Sequence, residues 1–234
     1  MMFEHTSLKI HRAGWPFIGL FAAVTVGLAF LGGPLFALGL VLTAWCIYFF
    51  RDPERVTPQR EGLIVSPADG KIVAIREVTP DPDLGLDATP RIRVSIFLDV
   101  FNVHVNRVPI NGAIKRRIYR KGKFVNASLD KASVDNERMA LVLQMSGGHP
   151  YAGQMLGVVQ IAGLVARRIL CDAKEGDALK TGERFGIIRF GSRADIYLPP
   201  GMKPLVVEGQ TMIGGETVIA DCLSDEAARQ GEVR

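Results

Sequence analysis

From Gly14 to Phe50 the chain reads GWPFIGLFAAVTVGLAFLGGPLFALGLVLTAWCIYFF without one charged residue, and nothing else in the sequence limits the fold as strongly. A run of this length exceeds one buried helix of a soluble domain and belongs in a membrane. Gly32-Gly33-Pro34 divides it into two apolar halves, each near the lower limit for crossing a hydrocarbon core of about 30 Å. Either both halves cross as a tight helical hairpin, or the run forms one tilted span or a re-entrant loop. Lys9 and Arg12 precede it and Arg51 and Arg55 follow it, so the positive-inside rule puts both ends in the cytoplasm and favours the hairpin. The run is too long for the apolar core of a cleaved signal peptide, and no small-residue cleavage site follows it. Trp15 and Tyr48 lie near its ends, as interfacial aromatics do.

After the polar, proline-marked linker RDPERVTPQREG the texture changes. LIVSPADGKIVAIREV reads as strand, turn, strand, with Pro67 and Asp69-Gly70 supplying the turn. RIRVSIFL, HVNRVPINGAIKRRIYR, RMALVLQM, MLGVVQIAGLVARRIL and FGIIRF follow, separated by Gly, Asn or Pro, which is the spacing of a sandwich or barrel. The expected architecture is therefore mainly β. It comprises a membrane-associated helical segment over 1–55, a β-rich, sandwich or barrel-sandwich-like domain over 56–225 and a flexible tail over 226–234. KEGDALKTGERFG resembles the hairpin turn of lipoyl and biotinyl carriers, but no modifiable lysine sits at a tip, so only the fold likeness stands. Lys121 to Arg138 is polar and irregular and is predicted to be a long surface or lid loop.

A chain of 234 residues suits one large domain or two small ones, and its formal charge of +4 fits nucleic acid, an anionic membrane surface or nothing specific. No recognition motif or aromatic interleaving supports nucleic acid. Cys46, Cys171 and Cys222 have no spacing for zinc or a disulfide framework, so no metal is expected and a reducing compartment is the simplest reading. Of the histidines, His5 and His11 lie in a polar lead, which leaves His104 and His149 for chemistry.

Three separated elements carry reactive groups: Asp69 in SPADG, His104 in FNVHVNRVP, and Ser192 after Gly191 in GIIRFGSRADIYLPPG. Each has an ordinary reading alone: Asp69 as a turn residue, His104 as a satisfied strand histidine, Gly191-Ser192 as a bulge in a strand. A carboxylate, an imidazole and a hydroxyl are also the parts of an activated serine.

Taken in order, the membrane-associated N-terminus, FFRDPER, SPADG, FLDVFNVHVNRVP, NER and the late FGS resemble phosphatidylserine decarboxylase in its short bacterial and archaeal form, over roughly residues 46–215. The resemblance implies a proenzyme that cuts itself between Gly191 and Ser192, with Ser192 becoming a covalent pyruvoyl group that forms a Schiff base with the substrate amine. It implies conversion of phosphatidylserine to phosphatidylethanolamine and carbon dioxide at a cell membrane, with the catalytic domain on the cytoplasmic side. It further implies a heterodimer of the chain's own large (1–191) and small (192–234) pieces, with any further oligomer left open. Asp69 and His104 are the candidate acid-base residues. The longer relatives carry a second histidine where this chain has Arg107, so either His104 serves both steps or Asp69 acts directly or through water. Arg107, Arg193 and His149 are candidate substrate-binding residues, and Lys115, Arg116, Arg117, Arg120, Lys121 and Lys123 form a basic run suited to anionic lipid heads. Two alternatives remain: a decarboxylase of another serine-headed lipid such as archaetidylserine, or a non-catalytic membrane-anchored barrel-sandwich adaptor.

Overall fold

Helices begin where proline and glycine permit them. In the computed structural model, which describes residues 9–122, 136–163, 168–189 and 191–232, Pro16 and Pro34 stand in the first turns of α1 (Trp15–Ala29) and α2 (Gly33–Phe49). Proline suits those positions because first-turn amides have no helical acceptor to lose. Between the helices Gly32 takes φ 129°, so the apolar run is two helices and not one continuous span. They pack against each other through small residues. The hydroxyls of Thr25 and Thr43 meet at 3.0 Å, and a Cβ on Gly39 would lie 2.7 Å from Thr25 Oγ1. At the open end the two flanks pair: His11 N–H donates to Phe50 O, Asp52 N–H donates to Lys9 O, and Lys9 forms an ion pair with Glu54. The helical segment Arg12–Ala29 is long and apolar enough to cross a membrane, and α2 is somewhat shorter.

These helices belong to one compact unit, which runs to Glu54 and includes Phe101–Val103. The second unit, Arg55–Val100 and His104 onward, is β-rich. Its strands are β1 (Leu63–Val65), β2 (Gly70–Val78), β3 (Arg91–Leu98), β4 (Val105–Arg107), β5 (Gly112–Arg120), β6 (Arg138–Met145), β7 (Met155–Ala162), β8 (Ile169–Cys171), β9 (Ala178–Leu179), β10 (Arg184–Ile188), β11 (Ser192–Tyr197), β12 (Thr211–Met212) and β13 (Val218–Asp221). They form an eight-stranded sheet in the order β12-β2-β3-β11-β7-β6-β5-β9, a three-stranded sheet β4-β10-β8, and the pair β1-β13. Antiparallel pairing runs through the large sheet, and alternation gives it two buried faces.

On one face Val94, Ile96, Leu98, Ala194, Ile196, Leu156, Val158, Leu141 and Leu143 build the main core with Phe185 of the small sheet. On the other, Val159, Ile161, Ala140, Val142 and Tyr197 pack under Leu84 and Leu86.

An expected strand-turn-strand and an expected bulged strand both turn out to be corners between sheets. β1 and β2 lie in different sheets, so SPADG joins layers rather than folding a strand back. GIIRFGSRADIYL is likewise two strands: β10 ends in the small sheet and β11 begins in the large one, with Gly191 at the crossing. Pairing partners decide this, and a single strand's composition does not encode them. The carrier-like turn holds β9 against β5, and the chain then leaves for β10. Of the predicted lid loop, residues 123–135 lie outside the described residues, as does Lys123 of the basic run. Lys115, Arg116, Arg117, Arg120 and Lys121 are exposed, and Arg120 pairs with Asp83. In the predicted tail, Arg229 donates to Leu205 O and pairs with Glu226.

Candidate functional site

Gly191 has φ 67°, a left-handed conformation that an L side chain adopts at a cost, while no atom lies within 4 Å of where its Cβ would be. The backbone, and not crowding, selects glycine here. Ser192 follows as the first residue of β11 and is fully buried, opposite Leu98 of β3 on one side and Ala162 of β7 on the other. Its Oγ has no hydrogen-bond partner among the described residues. A buried hydroxyl without a partner is costly and asks for a functional explanation.

Alternation places Ser192 on the core face with Ala194, Gln160 and Ala162. Ala162 packs with Ile188 at the end of β10, and Ile188 N–H donates to His104 O at 3.3 Å. His104 is fully buried. Asn106, two residues on, accepts from Gln160 Nε2 at 2.8 Å, so this face of β4 looks onto the large sheet, and His104 immediately precedes the strand. The Ser192 and His104 segments are thus linked through Ala162 and the Ile188 backbone. Asn136 and Glu137, just ahead of β6, bond to the same residue: Asn136 Nδ2 donates to Ala162 O at 2.7 Å, and Ala162 N–H donates to Glu137 O at 2.9 Å.

Asp69 stands at the same end of the sheet but one strand further away. Its neighbour Gly70 abuts the Phe97 carbonyl of β3, where a Cβ would come within 2.2 Å. With β3 between β2 and β11, Asp69 and Ser192 are about two strand spacings apart, roughly 10 Å. The Asp69 carboxylate is held from both sides, Oδ2 by Arg55 at 2.7 Å and Oδ1 by the Gly214 N–H at 2.8 Å. Arg107 joins this second cluster: its backbone N–H donates to Pro67 O and its guanidinium to Gly182 O, with Gly215 against its side chain. β4 links the two clusters, with His104 just before it and Arg107 at its end.

Two residues singled out for substrate stand elsewhere. Arg193 points to the face opposite Ser192, 1% exposed, bonded to both oxygens of the fully buried Asp195 at 2.6 and 3.1 Å and to Ser95 Oγ at 2.7 Å. Arg93 approaches the same carboxylate at 3.9 Å. Burial, reinforced by Asp195 and opposed by Arg93, pushes the neighbouring Tyr197 phenol up to about 12. His149 lies in the β6–β7 loop, buried beside Glu61 and Gly62, at the start of β7, whereas Ser192 pairs with its end. Ala162 and Ile188 link the Ser192 and His104 segments, and Asp69 pairs with Arg55 while the Arg107 backbone N–H bonds to Pro67 of the same corner. The structure does not bring Arg193 or His149 to either cluster. Asn106, Gln160 and Asn136 were not among the candidates, although a lone glutamine inside VVQIA was a legible signal.

Against known proteins, the phosphatidylserine decarboxylase family matches residues 42–220. The chain belongs to that family. It is 57% identical over 225 residues to the phosphatidylserine decarboxylase proenzyme of Cereibacter sphaeroides, covering 96% of this chain and 95% of the relative. It is 55% identical to that of Paramagnetospirillum magneticum (96% and 92%) and 57% identical over 222 residues to that of Ruegeria pomeroyi (94% and 99%). As a phosphatidylserine decarboxylase it is a membrane-associated lyase of phospholipid biosynthesis, made as a zymogen that is cleaved into two chains and uses a serine-derived pyruvoyl group. The reading as a non-catalytic adaptor is thereby set aside. The residues at the β10–β11 crossing fit such a group: a glycine in a left-handed conformation precedes a buried serine whose hydroxyl is open among the described residues.

Proposed function

We propose that Gly191-Ser192 is the scissile bond and that Ser192 is the source of the pyruvoyl group. Ser192 Oγ attacks the Gly191 carbonyl and displaces the amide nitrogen, giving an ester. Loss of the Ser192 α-proton then expels the upstream chain as the Gly191 carboxylate. Water replaces the nitrogen of the resulting dehydroalanine, which departs as ammonia and leaves a ketone at the head of residues 192–234. The observation that carries this reading is the buried Ser192 hydroxyl after a left-handed Gly191, where the chain changes sheets.

His104 takes the proton from Ser192 Oγ, since an imidazole holds or releases a proton near neutral pH and Arg107 has no basic lone pair. Asp69, its oxygens engaged by Arg55 and Gly214, orients the SPADG corner against β3 rather than abstracting a proton. Arg107 ties that corner to Gly182 and suits contact with the lipid phosphate at its outer side. A pyruvoyl group at position 192, at the head of β11, would supply an electron-withdrawing carbonyl for the substrate amine, the chemistry that decarboxylation needs and no ordinary side chain offers. His104 then delivers a proton to the headgroup carbon.

The helices anchor the enzyme as a hairpin with both flanks, and the catalytic unit, on the cytoplasmic side. The pairing of Lys9–His11 with Phe50–Asp52 and the cationic flanks support this. The roles are tested with His104→Ala and Asp69→Asn, following self-cleavage on gels and decarboxylation separately. His104→Ala is expected to stop cleavage, and Asp69→Asn to slow it about tenfold while keeping the fold. Cleavage at the normal rate in His104→Ala removes His104 from the first step.

A further inference from the structure

Gln160 sits in the middle of β7 between apolar neighbours and is fully buried. Its bond to Asn106, also fully buried, uses one donor and one acceptor. Asn106 Nδ2 and Gln160 Oε1 are left with no partner among the described residues. However the two amides are turned, a bonded pair leaves one amide nitrogen and one carbonyl oxygen over. Buried polar atoms of this kind are rarely left idle; a ligand or an ordered water satisfies them.

Their position narrows the choice. Gln160 faces Ala194 across the β7–β11 ladder, so Ser192 is its diagonal neighbour, about 7–8 Å away and within reach of a long side chain. Asn106 is two residues after His104, which immediately precedes β4. The pair therefore lies within side-chain reach of the reactive serine and beside the segment that carries the histidine. The guanidinium of Arg193 is on the opposite face of the large sheet.

We propose that the Asn106–Gln160 amide pair binds the substrate headgroup, its free NH2 donating to the carboxylate that is lost and its free carbonyl accepting from the amine. This rests on Ser192 being the reactive centre. The chemistry favours neutral donors there. Decarboxylation disperses the carboxylate charge, so a cation would stabilise the ground state more than the transition state and slow the step. An amide orients the carboxylate at less such cost. An ethanolamine headgroup lacks the carboxylate, loses that bond and is held less tightly, which aids release of product.

The test is Asn106→Leu combined with Gln160→Met, because replacing both partners of a buried hydrogen bond by apolar groups of similar shape strands neither. Vesicles of phosphatidylserine or phosphatidylethanolamine are reacted with the cleaved enzyme and cyanoborohydride, and total lipid adduct on the small chain is read by mass. The double variant is expected to cleave itself, to lose the amine contact with both lipids and the carboxylate contact with phosphatidylserine alone, so that the ratio of serine-derived to ethanolamine adduct falls about tenfold or more. Gln160→Glu, which sets a negative charge beside the carboxylate, provides the same readout and the same expected loss of selectivity. An unchanged ratio between the two lipids, or failure of both variants to cleave, overturns the proposal alone. Absence of adduct from the unmodified enzyme with either lipid overturns the Ser192 assignment and the proposal with it.

Discussion

Replacing Arg193 by methionine tests whether this arginine serves the lipid or the fold. Its guanidinium is 1% exposed, grips both oxygens of a fully buried Asp195 and also donates to Ser95. Removing one partner of a buried pair costs about 3–5 kcal/mol, because the other charge stays behind uncompensated. Arg93, 3.9 Å from Asp195, remains as a partial substitute, which sets the expectation at the lower end, about 3 kcal/mol. For a chain of this size that lowers Tm by roughly 6–12 °C. Arg193→Met with Asp195→Leu removes both charges and is expected to recover most of the loss, since an apolar replacement of a buried pair is commonly neutral or stabilising. The assay is thermal unfolding in detergent, paired with KM for phosphatidylserine. A Tm within about 2 °C of the parent, together with a KM raised tenfold or more, would refute the structural reading and return Arg193 to the substrate.

Three further outcomes follow from particular residues. Gly191→Ala meets no atom within 4 Å, so the fold is expected to survive, while the left-handed backbone now costs about 1–2 kcal/mol and slows self-cleavage about tenfold, read from the band ratio over time. Tyr197 is held protonated by burial, its phenol at about 12 against about 10 when unfolded; that contribution is intact below pH 10 and fades as pH rises from 10 through 12. Tyr197→Phe is therefore expected to flatten the alkaline fall of Tm by an amount equivalent to about 3 kcal/mol, and an unchanged alkaline limb contradicts the assignment. Gly39→Leu drives a side chain into Thr25 and is expected to separate the helices, seen as loss of a cross-link between cysteines placed at Thr25 and Thr43.

The legible parts of this protein were those governed by local chemistry. An uncharged apolar run can only be buried or inserted, and Gly32 with Pro34 marks where it divides, so two apolar halves could be read directly, while choosing two helices over one tilted span needed the Gly32 backbone. Short β-branched runs likewise announced strands. What the strands pair with was not legible: β10 and β11 read as one interrupted strand because the sheet change at Gly191 depends on distant partners. Arg193 was nearly within reach, since alternation already sets it on the face opposite Ser192. Its burial depends on Asp195, two residues on, and on Ser95, which only the β3–β11 register brings alongside. His149 could not be located from its own loop, because which end of β7 carries the site is a question of pairing direction. Gln160 was passed over because its meaning comes from Asn106 in another layer.

The central claim is that the bond before Ser192 is cut by the chain itself and that Ser192 becomes the cofactor. Intact mass measurement of the purified protein tests it most directly. The account predicts two chains, residues 1–191 ending in an ordinary Gly191 carboxylate, and 192–234 lighter by one ammonia than a chain beginning with serine and blocked to Edman degradation. Ser192→Ala should remain one uncut chain. A single uncut chain in the unmodified protein, or a cut chain that begins with an intact serine, would contradict the account.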